Sequence, residues 1–164
     1  RRDPKGAFVP LTEQDTDLWD HARIDEAESL LIGASRLGAP GRYQIEAAVQ
    51  SAHAVRRFGR KVDWSAIAGL YDALLAMTGS PVVAVNRAVA ITETAGPAAG
   101  LAALDTLSQD KRVLIYQPFW AARAELLART GACAAAREAY TRAIGLETDP
   151  AVRKFLERRR DGGR

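Results

Sequence analysis

Apolar and small residues recur along this chain at steps of three and four, the spacing that keeps side chains on one face of a helix. The clearest stretch is 116–150, where Trp120, Ala124, Leu127, Gly131, Ala136, Tyr140, Ala143 and Pro150 mark the packing positions. Gly131 interrupts the run where a turn is required and can take the positive φ of a helix C-terminus. The pattern predicts two helices folded into a hairpin. Elsewhere the same steps repeat. Residues 1–14 have no helical period and carry Pro4, Gly6 and Pro10. They read as a linker from which Phe8, Val9 and Leu11 can dock on the core. Asp15 or Thr16 is expected to cap a helix ending near Leu37, stopped by Gly38 and Pro40, with Ala27, Leu31 and Ala34 on its packing face. A helix over 41–58 carries Ala48, Ala52 and Val55. Asp63 caps one over 64–78 carrying Gly69, Ala73 and Ala76. Ser80 and Pro81 form an N-cap and first-turn pair that opens 81–95, with Ala84, Ala88 and Ile91. Gly96-Pro97 turns into 97–107, with Gly100, Leu104 and Leu107. After a link over 108–115 and the hairpin at 116–150, a last helix runs from Asp149-Pro150 to about Arg160 with Val152, Phe155 and Leu156 as its stripe. Nothing alternates with a period of two. The expectation is an all-α domain over 15–160: about eight helices, as three hairpins with a further helix at each end, and a flexible tail at 161–164. Trp64, Tyr71, Trp120 and Tyr140 are expected to be buried, filling the gaps that alanines leave between helices.

Composition narrows the class. At 164 residues and 48% hydrophobic, the chain can bury a core and is not a disordered segment. No apolar run approaches the ~18 residues of a membrane span, and no signal-peptide pattern appears at the start. The chain opens Arg-Arg-Asp-Pro-Lys-Gly, without a methionine, which reads as a linker and predicts a fragment or processed piece. Cys133 is the single cysteine. It cannot form an internal disulfide, which points to a reducing compartment, and on an alanine-rich helix it is expected to fill core space. The net charge of +3 is concentrated at the end: residues 153–164 hold six cations against Glu157 and Asp161. Such a tail suits an acidic partner or simply complements a helix dipole.

Signals for catalysis are weak. The histidines are His21 and His53; there is no His-Glu-x-x-His, no cysteine pair with zinc spacing and no glycine-rich phosphate loop,. An enzyme, a metal or a cofactor is not expected.

The hairpin pattern closely resembles the tetratricopeptide repeat: large, small and large residues, a glycine turn, then alanine, aromatic, alanine and proline. The Ala143-to-Pro150 gap is longer than the family's usual spacing, so the exit turn is expected to differ. The resemblance implies a right-handed superhelix whose concave face is lined by the first helix of each hairpin. On helical spacing that face takes Glu46, Val49, Gln50, His53 and Arg57, then Val82, Val85, Asn86, Val89 and Glu93, then Ala121, Ala122, Glu125 and Arg129. Asn86 matches one asparagine of the family's carboxylate clamp, but the full clamp is absent. Arg87 and Arg123 occupy equivalent positions where the repeat usually has leucine. A partly buried arginine needs acceptors, so each is expected to bridge to a carboxylate (Glu125, Asp72 or Glu46) or to a helix-end carbonyl, or else to contact a partner. The tail Arg158, Arg159, Arg160, Asp161, Gly162, Gly163 and Arg164 is a second candidate contact.

A further resemblance rests on longer strings. These are Leu11-Thr12-Glu13-Gln14-Asp15 with Trp19-Asp20, Tyr43-Gln44-Ile45-Glu46-Ala47-Ala48, Asp63-Trp64, and Ile67-Ala68-Gly69-Leu70-Tyr71-Asp72-Ala73-Leu74. To them are added Ser80-Pro81-Val82-Val83-Ala84-Val85-Asn86-Arg87-Ala88 and Ala121-Ala122-Arg123-Ala124. Together they resemble the tetratricopeptide-like C-terminal extension of a group of bacterial extracytoplasmic-function sigma factors, over about residues 9–160. A histidine sometimes expected before Ala121 is Trp120 here. The resemblance implies a cytoplasmic interaction domain that regulates transcription initiation. Its partners would be the sigma regions of the same polypeptide or RNA polymerase, with promoter DNA reached only through the sigma regions missing from this chain and no membrane involved. The alternative is a free-standing tetratricopeptide adaptor that holds a peptide of another protein.

Overall fold

The computed structural model describes residues 2–162. Among them are nine α-helices: α1 His21–Ser35, α2 Arg42–Ala54, α3 Trp64–Thr78, α4 Pro81–Ala95, α5 Pro97–Asp105, α6 Lys111–Leu114, α7 Gln117–Arg129, α8 Cys133–Leu146 and α9 Pro150–Arg160. Short 3-10 turns lie at Leu11–Glu13, Thr16–Leu18 and Val55–Phe58. The only extended pairing among the described residues is a single antiparallel bridge between Arg2 and Phe8. The fold is all-α, and each long helix packs on the next in a repeat-like stack.

The α7/α8 hairpin forms as the spacing predicts. Thr130 and Gly131 close α7, with Gly131 at φ 84. The Gly131 amide donates to the Ala128 carbonyl at 3.1 Å and the Ala132 amide to the Leu127 carbonyl at 2.9 Å. This double bond pattern is a Schellman motif, which places a left-handed residue just past the helix end. Ala124, Leu127, Ala136, Ala139, Tyr140 and Ala143 then meet in one cluster, joined by Leu156 of α9. A second cluster joins Val85 and Ala88 of α4, Leu104 of α5, Val113 of α6 and Phe119 and Leu126 of α7. A third holds Ile45, Leu74 and Val83.

Several local expectations are corrected. Asp15 caps the 3-10 turn at Thr16–Leu18, and the helix itself starts later, with the Asp20 carboxylate accepting from the Arg23 amide. Trp19 is extended and separates the two, its indole N–H donating to Gln14 at 3.3 Å. The helix expected over 41–58 tightens into a 3-10 turn after Ala54. Ser80 precedes α4 but its side chain makes no capping bond; its amide instead donates to the Thr78 hydroxyl at 3.2 Å. The link at 108–115 contains a turn of helix capped by Asp110.

The face of α3 is also reassigned. Gly69, Ala73 and Ala76 are exposed, and the buried side is Ile67 and Leu74 with half-buried Leu70 and Tyr71. Counted from the helix start, Ile67, Tyr71 and Leu74 correspond to Ala136, Tyr140 and Ala143 of α8. Both triplets satisfy the step of four and three, and burying isoleucine and leucine removes far more apolar surface from water than burying alanine. Of the four aromatics expected inside, Tyr140 is buried, while Trp64, Tyr71 and Trp120 are half-buried. The Trp120 indole N–H donates to the Leu114 carbonyl at 3.0 Å, and the Arg142 guanidinium lies 4.5 Å over its ring. An aromatic with a polar N–H favours such an edge position, where its apolar body packs and its tip stays wet. Cys133 is exposed at the start of α8 rather than filling the core.

The leading segment is docked at both ends of the stack. Arg2 forms a two-pronged ion pair with Asp149 at the start of α9, both contacts 2.9 Å. Phe8 meets Phe155 edge to face at 5.2 Å. Three residues later the Leu11 carbonyl accepts from Arg56, in the 3-10 turn that follows α2, as does the Thr12 carbonyl at 2.9 Å. Three residues span at most about 11 Å, so this strap ties α9 to the turn that follows α2 across a short distance.

Candidate functional site

The residues expected on the concave face divide into three groups. Val49 and Val85 are buried in the core, and so is the side chain of Arg57, at 3% exposure. Arg57 faces no open groove. It donates to Asp25 at 2.6 Å, to Glu28 at 3.3 Å and to the His21 carbonyl at 3.3 Å, and it lies over the Phe58 ring at 4.4 Å. These contacts attach α1, which buries no residue of its own, to the turn that follows α2.

A second group is spent on contacts within the fold. Glu46 accepts from Arg42 at 2.8 Å along α2. Arg87 pairs with Asp72 of α3, and Arg123 with Asp105 of α5. Both bridges join the second helix of one hairpin to the first helix of the next, which explains why the two arginines hold equivalent positions. Asp72 is one of the acceptors the sequence suggests; Asp105 is not. Both carboxylates are more than half exposed, so each pair contributes at most about 1 kcal/mol. Glu93 takes Arg129 at 3.1 Å. Glu125 accepts from the Tyr140 hydroxyl at 2.9 Å and from Arg159 at 2.5 Å, which ties α7, α8 and α9 together. Burial, reinforced by the negative charge of Glu125, pushes the Tyr140 phenol up to about 12.

That triad also takes up one cation of the basic end. α9 continues through Arg160; Arg159 is anchored on Glu125, Arg160 pairs with Asp161 at 2.9 Å, and Arg158 is exposed. Gly162 follows at φ 88. Gly163 and Arg164 lie outside the described residues.

A third group remains accessible. Gln50 and His53 line a cleft of about 580 Å³ between α1 and α2. Its walls are apolar: Leu11 and Trp19 from the strap side, Ile24, Ala27 and Leu31 from α1, and Ala47 and Ala54 from α2, with Asp20, Arg23, Glu28 and Ser51 as the polar members. His53 is half-buried, edge-on to Trp64 at 5.3 Å. Burial lowers its pKa, and the Arg56 charge lowers it further, so the ring is neutral near pH 7. Leu18, Leu30, Leu37 and Tyr43 are exposed at this same end of the chain, each by more than two thirds. Asn86 is half-buried on α4 and does not line the cleft. The cleft escapes a reading by repeats because it is made where α1 and α2 fail to close on each other. The available signal is α1 itself, a helix with Ile24, Leu30, Leu31 and Ile32 that buries no residue among the described ones.

Among the described residues no three histidine, cysteine or carboxylate side chains gather as a metal site, and no helix is long and apolar enough to cross a membrane. The arrangement offers apolar contact area with a few hydrogen-bonding groups.

No family model matches the chain, and no solved structure matches it. An uncharacterized protein of Rhizobium meliloti (strain 1021) is 38% identical over 161 residues, covering 98% of this chain and 38% of that protein. The chain thus spans well under half the length of that relative.

Proposed function

We propose that this chain is the accessory protein-interaction domain of a bacterial sigma factor and regulates transcription initiation in the cytoplasm. It acts through contact with sigma regions or RNA polymerase, and not by catalysis. The observation that carries the reading is the α1/α2 cleft, about 580 Å³ and mainly apolar, with exposed Leu18, Leu30, Leu37 and Tyr43 at the same end. Exposed apolar area of this kind marks contact surfaces. The strings that resemble sigma-factor extensions support the identity of the partner, and the greater length of the Rhizobium relative suits a domain carried within a larger polypeptide.

The test places a photo-crosslinking amino acid at Leu31 or Gln50 in the sigma factor this reading requires. Crosslinks to the sigma regions or to polymerase are expected. Leu31→Asp should abolish them and change reporter output from the cognate promoter without loss of helix content. Unaltered reporter output from a folded Leu31→Asp variant would remove the cleft from the mechanism. Crosslinks confined to an unrelated protein would favour the free-standing adaptor.

A further inference from the structure

α9 carries five basic residues, and the fold uses three of them. Arg153 donates to the Glu147 carbonyl, Arg159 to Glu125 and Arg160 to Asp161. Lys154 and Arg158 lie one helical turn apart and therefore on one face; the ion pairs of α9 among the described residues are made by Arg159 and Arg160 instead. The strap brings Lys5 to the same place. Lys5, Lys154 and Arg158 line a common recess of about 160 Å³, with Gly6, Ala7 and Ala151 as its small walls. The recess has a fixed frame. Arg2 holds the strap to Asp149, and Phe8 packs on Phe155. The Asp3 carboxylate is turned back on the strap, accepting from the Lys5 and Ala7 amides at 2.9 and 2.8 Å, and Asp149 is engaged by Arg2 and by the Ala151 amide. Three like charges thus line one recess; Glu157, the carboxylate of α9, is not among its lining residues and acts on the Arg160 charge instead.

Like charges gathered at a recess repel one another, and a bound anion removes that cost. We propose that the recess between the strap and α9 is a binding site for one phosphate group, held by Lys5, Lys154 and Arg158. Three cations suit the dianion of a phosphate or phosphate monoester better than a single carboxylate. Arg158 can give two parallel N–H donors, and the lysines act as point charges. The recess has the volume of about five waters, at about 30 Å³ each. That is room for a phosphate group but not for a nucleoside, so any ester would extend outward. A single recess also differs from the row of spaced cations that follows a nucleic-acid backbone.

The experiment is calorimetric titration of the chain with sodium phosphate at pH 8, beside acetate and chloride at matched ionic strength. One saturable phosphate site is expected, weakened at pH 6 as the phosphate dianion is lost. Lys154→Gln and Arg158→Gln should each weaken it at least about tenfold, which is 1.4 kcal/mol. Lys61→Gln, an exposed cation away from the recess, should leave it unchanged. All three site residues are exposed, so the variants should keep the far-UV spectrum of the parent. Glycerol phosphate distinguishes the sources: tighter binding than inorganic phosphate assigns an ester, and equal or weaker binding assigns the free ion. The proposal is overturned if phosphate shows no saturable site, if acetate binds equally well, or if binding survives in the triple Lys5→Gln, Lys154→Gln, Arg158→Gln variant. It is equally overturned if duplex DNA displaces phosphate at the same phosphate concentration, which would make the recess a backbone contact.

Discussion

Gly100 marks a close approach of α5 to α4, and its replacement by alanine tests the packing of the second hairpin. The residue is buried on α5, facing α4. A methyl group there would lie 1.9 Å from the Thr92 hydroxyl oxygen, 2.9 Å from the Ala88 carbonyl oxygen and 3.1 Å from a Leu126 methyl carbon. Thr92 is only 3% exposed and its hydroxyl donates to that same carbonyl at 3.0 Å. Rotating Thr92 relieves the first clash and breaks its bond. The second involves helix backbone and is relieved only if α5 moves away from α4. A gap of 0.5–1 Å forfeits roughly a quarter to a half of the dispersion energy of each contact it opens, and overpacking of this kind costs about 1–3 kcal/mol. Alanine returns up to about 1 kcal/mol of helix propensity. The expected net loss is about 2 kcal/mol, or about 4–8 °C in Tm for a chain of this size. Gly69 on α3 is the control. It is helical and exposed, and a methyl group added there would have nothing within 4 Å, so Gly69→Ala should gain about 0.5–1 kcal/mol. Urea unfolding followed by far-UV circular dichroism measures both. Thr92→Ala in the Gly100→Ala background should recover part of the loss but not all, because the Ala88 carbonyl remains. A Gly100→Ala midpoint at or above that of the parent, with an unchanged m-value, would refute the close approach of α4 and α5.

Three further outcomes follow from the same structure. Because the Tyr140 pKa is raised from 10 to about 12, its contribution is complete below pH 10 and is lost as pH rises through 12. That loss is on the order of 2 kcal/mol, and Tyr140→Phe should remove it from the alkaline limb of a stability profile. His53 has a lowered pKa, so the stability that depends on its neutral ring is present above about pH 6.5 and is lost as pH falls through the folded value; His53→Gln should flatten the profile between pH 7 and 5, and an unchanged slope would contradict the burial of the ring. Arg57→Ala removes the buried side chain that joins α1 to the turn after α2, leaving exposed Asp25 and half-buried Glu28 without it, and should cost roughly 1–3 kcal/mol. Hydrogen exchange should show the α1 amides losing protection before those of α7 and α8, and Arg57→Lys should restore only part of it because lysine lacks the planar fork.

The helices and most of their ends were legible in the sequence for a local reason. Asp63, Pro81, Gly96-Pro97, Gly131 and Asp149-Pro150 act through their own backbone neighbours, and the structure starts or stops helices at each of them. The hairpin at 116–150 was equally clear, since its small and large residues face each other across one short turn. The face of α3 was not, because two triplets satisfy the same spacing and only the competition for buried area chooses between them. Partners of charged residues lay further still from the sequence. Arg123 meets Asp105, Arg159 meets Glu125 and Arg57 meets Asp25 across 18, 34 and 32 positions, and those meetings depend on how neighbouring helices cross. Of the candidate site, Gln50 and His53 could be placed on an accessible helix face, but the cleft beside them could not. A cleft is a failure of two surfaces to close. The strap from Arg2 to Thr12, which reaches from α9 to the turn that follows α2, forms part of its wall through Leu11. Helical periodicity determines which residues share a face; the distance between faces is decided only when the whole stack is assembled.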